Sequence, residues 1–344
     1  MKKAIILFVL FCLVGCEMED MDGIGNLVPP TADQDNLLPS IKINGTVLHA
    51  ETFGDIHNPI IIFLHGGPGG DYRALISEFG QENASRYPEE RLLDNSGLTR
   101  LQDDYFLVFY DQRSAGLSQR QNEVSFENYL DDLDAVIDYY LQKKLEDTGM
   151  QDEKVNLFAW SFGGILATGY INQNPEKIDR VIMYEPGPFA KEVWDYLKSN
   201  TTSIFAQVGK EWLEEYLLTK DHFTPDSHER ADHQLMINVF RAQPEFHEHP
   251  DTPLWRFGAM LSDDNLDFSL SQDYDITSNV DTSVSNRTLF LAGSKTVGEL
   301  PDYIDLQMAY YPGAQYHEIA ETGHTGPWEK SLEVSHQIRN FLLK

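Results

Sequence analysis

Cysteine is almost absent. The 344-residue chain holds two, Cys12 and Cys16, and both precede Glu17. The remainder can form no disulfide, offers no thiolate nucleophile and cannot build a Cys-ligated zinc site. Basic residues are also scarce: 26 Lys and Arg stand against 55 Asp and Glu, for a net charge of −29. No cluster of Lys and Arg supplies a basic face, which excludes nucleic acid and anionic headgroups as partners. The acidic excess has two readings, general solubility or an acidic pocket for a cationic substrate such as a free amine. Long hydrophobic runs are missing too, since the apolar stretch at residues 4–13 is too short to span a bilayer. Internal repeats and low-complexity blocks are lacking as well.

What the N-terminal end does contain is patterned. Lys2 and Lys3 precede the apolar run, which leads into Leu13-Val14-Gly15-Cys16. This resembles the lipobox of bacterial lipoproteins. The resemblance implies that residues 1–15 are a signal peptide, that Cys16 carries lipid, and that the protein is exported and membrane-anchored on the periplasmic or cell-surface side. Residues 16–40, with Glu17, Glu19, Asp20, Asp22 and Pro29-Pro30, read as a flexible tether.

Beyond residue 40 the composition supports a large core, with 41% hydrophobic and 12% aromatic residues over the chain. Asn44-Gly45, flanked by Ile41-Lys42-Ile43 and Thr46-Val47-Leu48, predicts a type I′ hairpin. Continuous apolar runs at 59–64, 105–110, 155–160, 181–184 and 288–292 suit strands covered on both faces, as in parallel sheets. Helical spacing is clearest at 126–141, where Phe126, Tyr129, Leu130, Leu133, Val136, Ile137, Tyr140 and Leu141 share one face behind Ser125 as N-cap. Further helices are expected at 163–173 and 331–343. The alternation predicts an α/β fold with a mostly parallel sheet flanked by helices. Residues 188–280 break the rhythm with helical, acidic, aromatic-rich sequence and read as a helical cap inserted between sheet strands. The expected core is then 41–187 together with 281–344.

Three segments carry chemistry. Ala159-Trp160-Ser161-Phe162-Gly163 lies between a predicted strand and a predicted helix, the context of a nucleophile elbow that lifts the Ser161 hydroxyl above the sheet. His65-Gly66-Gly67-Pro68-Gly69 follows an earlier strand, and the Gly67 and Phe162 N–H groups are the candidate oxyanion donors. His324, in Thr322-Gly323-His324-Thr325-Gly326, is placed as general base. Asp111-Gln112-Arg113-Ser114-Ala115-Gly116-Leu117-Ser118 follows another strand, with Asp111 and Arg113 read as ion-paired buttresses of the site floor.

Together these segments resemble the α/β-hydrolase superfamily, and the pairing of 65–69 with 111–118 is most similar to the prolyl iminopeptidase family. The resemblance implies release of an N-terminal, proline-like residue from small peptides, under a helical cap whose acidic residues bind the substrate amine. Glu211, Glu214, Glu215, Glu245 and Glu248 are the candidate amine binders. The sequence departs from that family at Ser114, where Gly is usual, and at Ala159-Trp160 before the serine. It also departs at Gly293-Ser294-Lys295-Thr296, where the family carries its acid as Gly-x-x-Asp.

Thr296 cannot hold charge, so the histidine needs its carboxylate from elsewhere. Glu185 is the first choice, because it ends the apolar run at 181–184 and precedes Pro186-Gly187. Haloalkane dehalogenases are similar in that many carry a triad Glu at the end of the same strand. Glu299 and Asp302 are the alternatives. The expected chemistry is acyl transfer by Ser161, His324 and Glu185, with no cofactor and no metal. His247-Glu248-His249 lacks a metal-binding helical spacing and reads as a charged loop. An aminopeptidase acting on small peptides leads. An esterase or lactonase on the same machinery, and a non-catalytic binding lipoprotein, stand as alternatives.

Overall fold

The structure is a computed structural model and describes residues 27–79, 96–122, 124–200, 228–236, 252–259, 276–277, 280 and 282–343. Eight strands form one sheet: β1 Ser40–Ile43, β2 Thr46–Phe53, β3 Ile60–Leu64, β4 Phe106–Tyr110, β5 Val155–Trp160, β6 Ile178–Tyr184, β7 Thr288–Gly293 and β8 Gln315–Ile319. Their order is β1-β2-β4-β3-β5-β6-β7-β8. β2 pairs antiparallel with β1 and β4, and every later pairing is parallel. The mostly parallel sheet expected from the sequence is present. The predicted turn opens it, with Asn44 at φ 43° and Gly45 at φ 73°, the two positive angles that a type I′ turn requires.

Seven helices are used below: α1 Phe126–Thr148, α2 Phe162–Gln173, α3 Lys191–Asn200, α4 His228–Leu235, α5 Ser294–Glu299, α6 Tyr303–Met308 and α7 Ser331–Leu342. α1 starts at Ser125, whose hydroxyl accepts the Asn128 N–H while the Asn128 side chain accepts the Ser125 N–H. This reciprocal box satisfies two end amides at once. The helix runs seven residues past its expected end, from 141 to 148, because residues 142–146 are good helix formers although they carry no apolar stripe. Gly149, at φ 73°, terminates it with an N–H bond to the Leu145 carbonyl.

Strand alternation divides the core into two layers. Ile60, Ile62, Leu64, Val108, Leu157 and Met183 pack under α1 and α2, whereas Ile61, Phe63, Phe109, Phe158 and Ile182 pack under α7. Truncating one of these fully buried side chains, Leu133 for instance, to Ala would cost about 2–5 kcal/mol. β8 shows no apolar run in the sequence because it is an edge strand with four of its five residues exposed.

The tether expectation needs revision at its C-terminal end. Val28, Thr31, Ala32 and Leu38 are buried, and the Ala32 N–H donates to the Leu117 carbonyl at 2.8 Å. These apolar residues are spaced too irregularly to announce themselves among prolines and acids. Residues 16–26, including Cys16, lie outside the described residues, as does most of 188–280. Within the expected cap, α3 and α4 are helical, and residues 252–259 run as a loop onto the core.

Candidate active site

β5 and α2 meet at one residue. Trp160 ends the strand, Phe162 begins the helix, and Ser161 sits between them at φ 55°, ψ −119°. This conformation is unfavourable for a residue with a Cβ and persists only where the surroundings fix it. The Ser161 N–H donates to the Tyr184 carbonyl at 3.2 Å, and its carbonyl accepts from Gly164 and Gly187, each at 2.8 Å. Small neighbours make the turn possible. Ala159 is fully buried, and a Cβ on Gly163 would run into the Leu64 carbonyl oxygen. Ala159 thus serves where glycine is usual.

Leu64, in register with Ala159, ends β3 beside the elbow. The loop at 65–69 turns from there against the serine: a Cβ on Gly66 would lie 3.0 Å from the Ser161 Cβ and 3.6 Å from its Oγ. Gly67, at φ 143°, brings the loop back on itself. A Cβ there would fall 2.6 Å from the Gly69 nitrogen and 2.8 Å from the Gly70 nitrogen. His65 anchors the turn from below. Its Nε2 accepts the Gln112 N–H at 3.0 Å, so Nδ1 carries the proton and donates to the Gly66 carbonyl at 2.7 Å. Burial depresses the His65 pKa against the opposing pull of Asp111 and the Gly66 carbonyl, which keeps the ring neutral as a scaffold. Phe162 is the first residue of α2, and its N–H is among the first-turn amides that have no intrahelical acceptor.

Glu185 follows β6 with φ 38° and is 2% exposed. Its Oε2 lies 2.9 Å from the His324 Nδ1. Its Oε1 accepts the Gly293 N–H at 2.8 Å, and Oε2 also accepts the Thr296 hydroxyl at 3.1 Å. Glu299 and Asp302 are exposed. The structure therefore joins His324 to the first-choice acid rather than to the alternatives. Because a carboxylate accepts at Nδ1, the Nε2 of His324 is left as the basic nitrogen. The loop that carries His324 is pinned on both sides. Trp160 Nε1 donates to the His324 carbonyl and the Tyr184 hydroxyl to the Gly323 carbonyl, both at 2.8 Å. The Thr322 and Thr325 hydroxyls each reach the Glu329 carboxylate at 2.6 Å.

A second, charged cluster lies on the other side of the glycine loop. Asp111 and Arg113 do not pair with each other: Arg113 is ion-paired and Asp111 is hydrogen-bonded, each with a separate partner. Asp111 Oδ2 bonds His49 Nδ1 at 2.8 Å, and Arg113 grips Asp132 through Nε at 2.7 Å and a terminal nitrogen at 2.6 Å. Asp71 accepts the Trp255 N–H at 2.6 Å, the Arg256 N–H at 3.1 Å and the Arg73 N–H at 3.0 Å. Desolvation, together with the charge of Asp111, pushes the Asp71 carboxyl up to about 7 against those three donors. Asp232 of α4 is fully buried between Arg256 and Arg120, at 2.6 and 2.9 Å. Burial opposes its ionisation, but the two guanidinium groups and the Ala259 N–H prevail and hold its pKa below the ordinary value. Arg256 also reaches the Pro29 carbonyl, and the Gly258 N–H donates to Gly69 at 2.8 Å. Sequence reading missed Asp71, Arg120, Asp232 and Arg256. Proximity of Asp71 and Arg120 to the glycine loop and the 111–118 segment was the available signal; Asp232 had none. Cys16, the five candidate amine-binding glutamates and His247-Glu248-His249 all lie outside the described residues.

The family described as alpha/beta hydrolase fold matches residues 59–331, and the chain belongs to it. Among curated relatives, proline iminopeptidase PfmaB of Pestalotiopsis fici is 26% identical over 149 residues, 43% of each chain. Epoxide hydrolase 1 of Caenorhabditis elegans is 26% identical over 177 residues, 49% of this chain and 37% of that one. The chain thus spans less than half the length of these relatives. In structure it resembles an epoxide hydrolase from Bacillus megaterium at a TM-score of 0.58 and 17% identity, covering 89% of this chain and all of that one. This last likeness concerns the fold alone. The α/β-hydrolase fold expected from the sequence is therefore present.

Proposed function

We propose that this protein is a hydrolase that works by serine acyl transfer, with Ser161 as nucleophile, His324 as general base and Glu185 as the carboxylate that orients the histidine and stabilises its imidazolium form. The observation that carries the reading is the 2.9 Å pair between the buried Glu185 and His324 Nδ1, with Trp160 tying the His324 loop to the residue before the elbow. His324 Nε2 takes the Ser161 proton as Oγ attacks the substrate carbonyl carbon. The carbonyl π electrons move to oxygen, and the Gly67 and Phe162 N–H groups stabilise that oxyanion. Collapse expels the leaving amine or alcohol, which takes the proton from His324. Water then adds to the acyl-enzyme with His324 as base, releasing the acid and restoring Ser161. No cofactor enters these steps.

The substrate reading is removal of an N-terminal, proline-like residue from small peptides. It is supported by the motifs at 65–69 and 111–118 and by the likeness to a proline iminopeptidase. An esterase or lactonase would use the same atoms. Attachment to a membrane through lipid on Cys16, on the exported side, belongs to the same proposal and rests on the sequence pattern at 13–16.

A fluorophosphonate probe should label the wild type and not Ser161→Ala; an unlabelled wild type would overturn the serine reading and leave the binding lipoprotein. Proline-naphthylamide and p-nitrophenyl acetate, assayed side by side, then divide peptidase from esterase. Turnover of the ester alone would remove the peptidase assignment. Metabolic labelling with a fatty-acid analogue, lost in Cys16→Ala, tests the anchor.

A further inference from the structure

Thr296 occupies the position where the prolyl iminopeptidase family carries its acid, and the structure keeps it in contact with the group that has replaced that acid. We propose that Thr296 is a positioning residue that holds the Glu185 carboxylate on His324, an inference that rests on the triad reading above.

The geometry runs through one oxygen. Glu185 Oε2 accepts the Thr296 hydroxyl at 3.1 Å and faces His324 Nδ1 at 2.9 Å. The other oxygen is held by the Gly293 N–H at 2.8 Å. β6 and β7 are parallel neighbours, with Tyr184 opposite Leu291, and the Glu185 N–H continues the ladder to the Leu291 carbonyl. The side chain of Glu185 therefore leaves the end of β6 and crosses beneath the start of α5, where Thr296 is the third residue. Glutamate makes that crossing with one more rotatable bond than aspartate, and its terminal carboxylate torsion is broad. A single donor on Oε1 would leave the plane of the carboxylate free to turn. The second donor, on the oxygen that meets the histidine, removes that freedom. Threonine suits the task because its branched side chain is stiff at χ1, and its hydroxyl can donate to the carboxylate without competing for the charge. Gly293 contributes through its backbone, so Thr296 is the contact that substitution can reach.

The test compares Thr296→Val, which keeps the shape and removes the hydroxyl, with Thr296→Ser, which keeps the hydroxyl. Second-order labelling of Ser161 by the fluorophosphonate probe is followed across pH, with thermal midpoints alongside. Thr296→Val should label about 10- to 100-fold more slowly, the loss expected for a hydrogen bond to a charged group, with the acidic limb of its profile moved to lower pH as the imidazolium loses its aligned carboxylate. Thr296→Ser should stay within about 3-fold of wild type with the limb in place. Should Thr296→Val fail to fold, Thr296→Ala supplies the same comparison. Equal rates and profiles for wild type and Thr296→Val would overturn the proposal. So would equal losses in Val and Ser with neither profile moved, since that is the signature of packing alone. A wild type that does not label sinks the serine reading itself, an outcome distinct from a labelled wild type with an indifferent Thr296.

Discussion

The two sides of the glycine loop are built on different physics. On one side, Ser161, Glu185 and His324 stand at the ends of strands and loops: main-chain bonds from Tyr184 and Gly187 fix Ser161 and from Leu291 and Gly293 fix Glu185, while uncharged side chains, Trp160 and Tyr184, pin the His324 loop. On the other side, α4 and the 252–259 loop meet the core through buried charges, Asp232 with Arg120 and Arg256, and Asp71 against three backbone amides. Main-chain bonds depend little on which side chains surround them, so the fold around Ser161 and Glu185 does not hang on any one buried charge. Buried ions are costly to strip from water and tolerate the loss of a partner badly. The contrast predicts that damage on the first side removes chemistry while leaving the fold, and that damage on the second side loosens the fold first.

The largest effect should come from Glu185→Gln. The amide keeps the volume and its single oxygen can still accept from the Gly293 N–H, but its NH2 then faces the Thr296 hydroxyl and His324, and it cannot stabilise an imidazolium. A fall of about 10⁴-fold in kcat is expected, as for an aspartate-to-amide change in a serine triad, with the urea midpoint nearly unchanged. Steady-state rates of the purified variant and its unfolding curve decide this together. Retained activity in Glu185→Gln alongside a loss in Glu299→Gln or Asp302→Asn would transfer the acid role.

Asp232→Ala is the matching break on the other side. It leaves Arg120 and Arg256 buried without their shared carboxylate, and removing one partner of such a cluster costs about 3–5 kcal/mol. Urea unfolding should show that loss. The expected order of events is a lower midpoint at full probe reactivity per folded molecule. A stable Asp232→Ala protein with slow labelling would instead mean that the cluster serves the chemistry.

The same contrast explains what could be read in advance. β3, β4, β5 and β7 were visible as apolar runs because burial on both faces leaves no polar alternation, and the elbow was visible because its small residues crowd at fixed spacing. Glu185 could be chosen because a carboxylate at the end of a buried strand is chemically out of place. The charged cluster stayed hidden, since Arg120, Asp232 and Arg256 are far apart in the chain and each resembles an ordinary surface charge. Packing of residues 28–38 was hidden for a related reason: Pro29 is held by its carbonyl, and a carbonyl leaves no trace in sequence. Thr296 was legible as a departure from the family pattern, but its contact with Glu185 required the fold, because β6 and β7 meet only after 188–280 has been traversed.

The smallest effect, and the one that most sharpens the comparison, concerns Asp71. Its side chain accepts from Trp255 and Arg256 on the incoming loop and from Arg73 on the core, so it joins that loop to the core. Burial and the neighbouring Asp111 raise it from an ordinary 3.8 to about 7. Between those two values the folded protein holds a proton that the unfolded chain has released, and stability must fall as pH rises through the interval. The contribution is fully present below about 4, is lost as pH passes through about 7, and is constant above that. Asn at this position does not titrate. The stability of wild type relative to Asp71→Asn, from urea unfolding at half-unit steps, should therefore decline from pH 4 to pH 7 and then level off. Asp111→Asn removes the facing charge and should move the decline to lower pH. A wild-type-to-Asn difference that is flat across the whole interval would show that the three backbone donors already keep Asp71 ionised, and that this contact belongs energetically with the main-chain side of the molecule rather than with the buried charges.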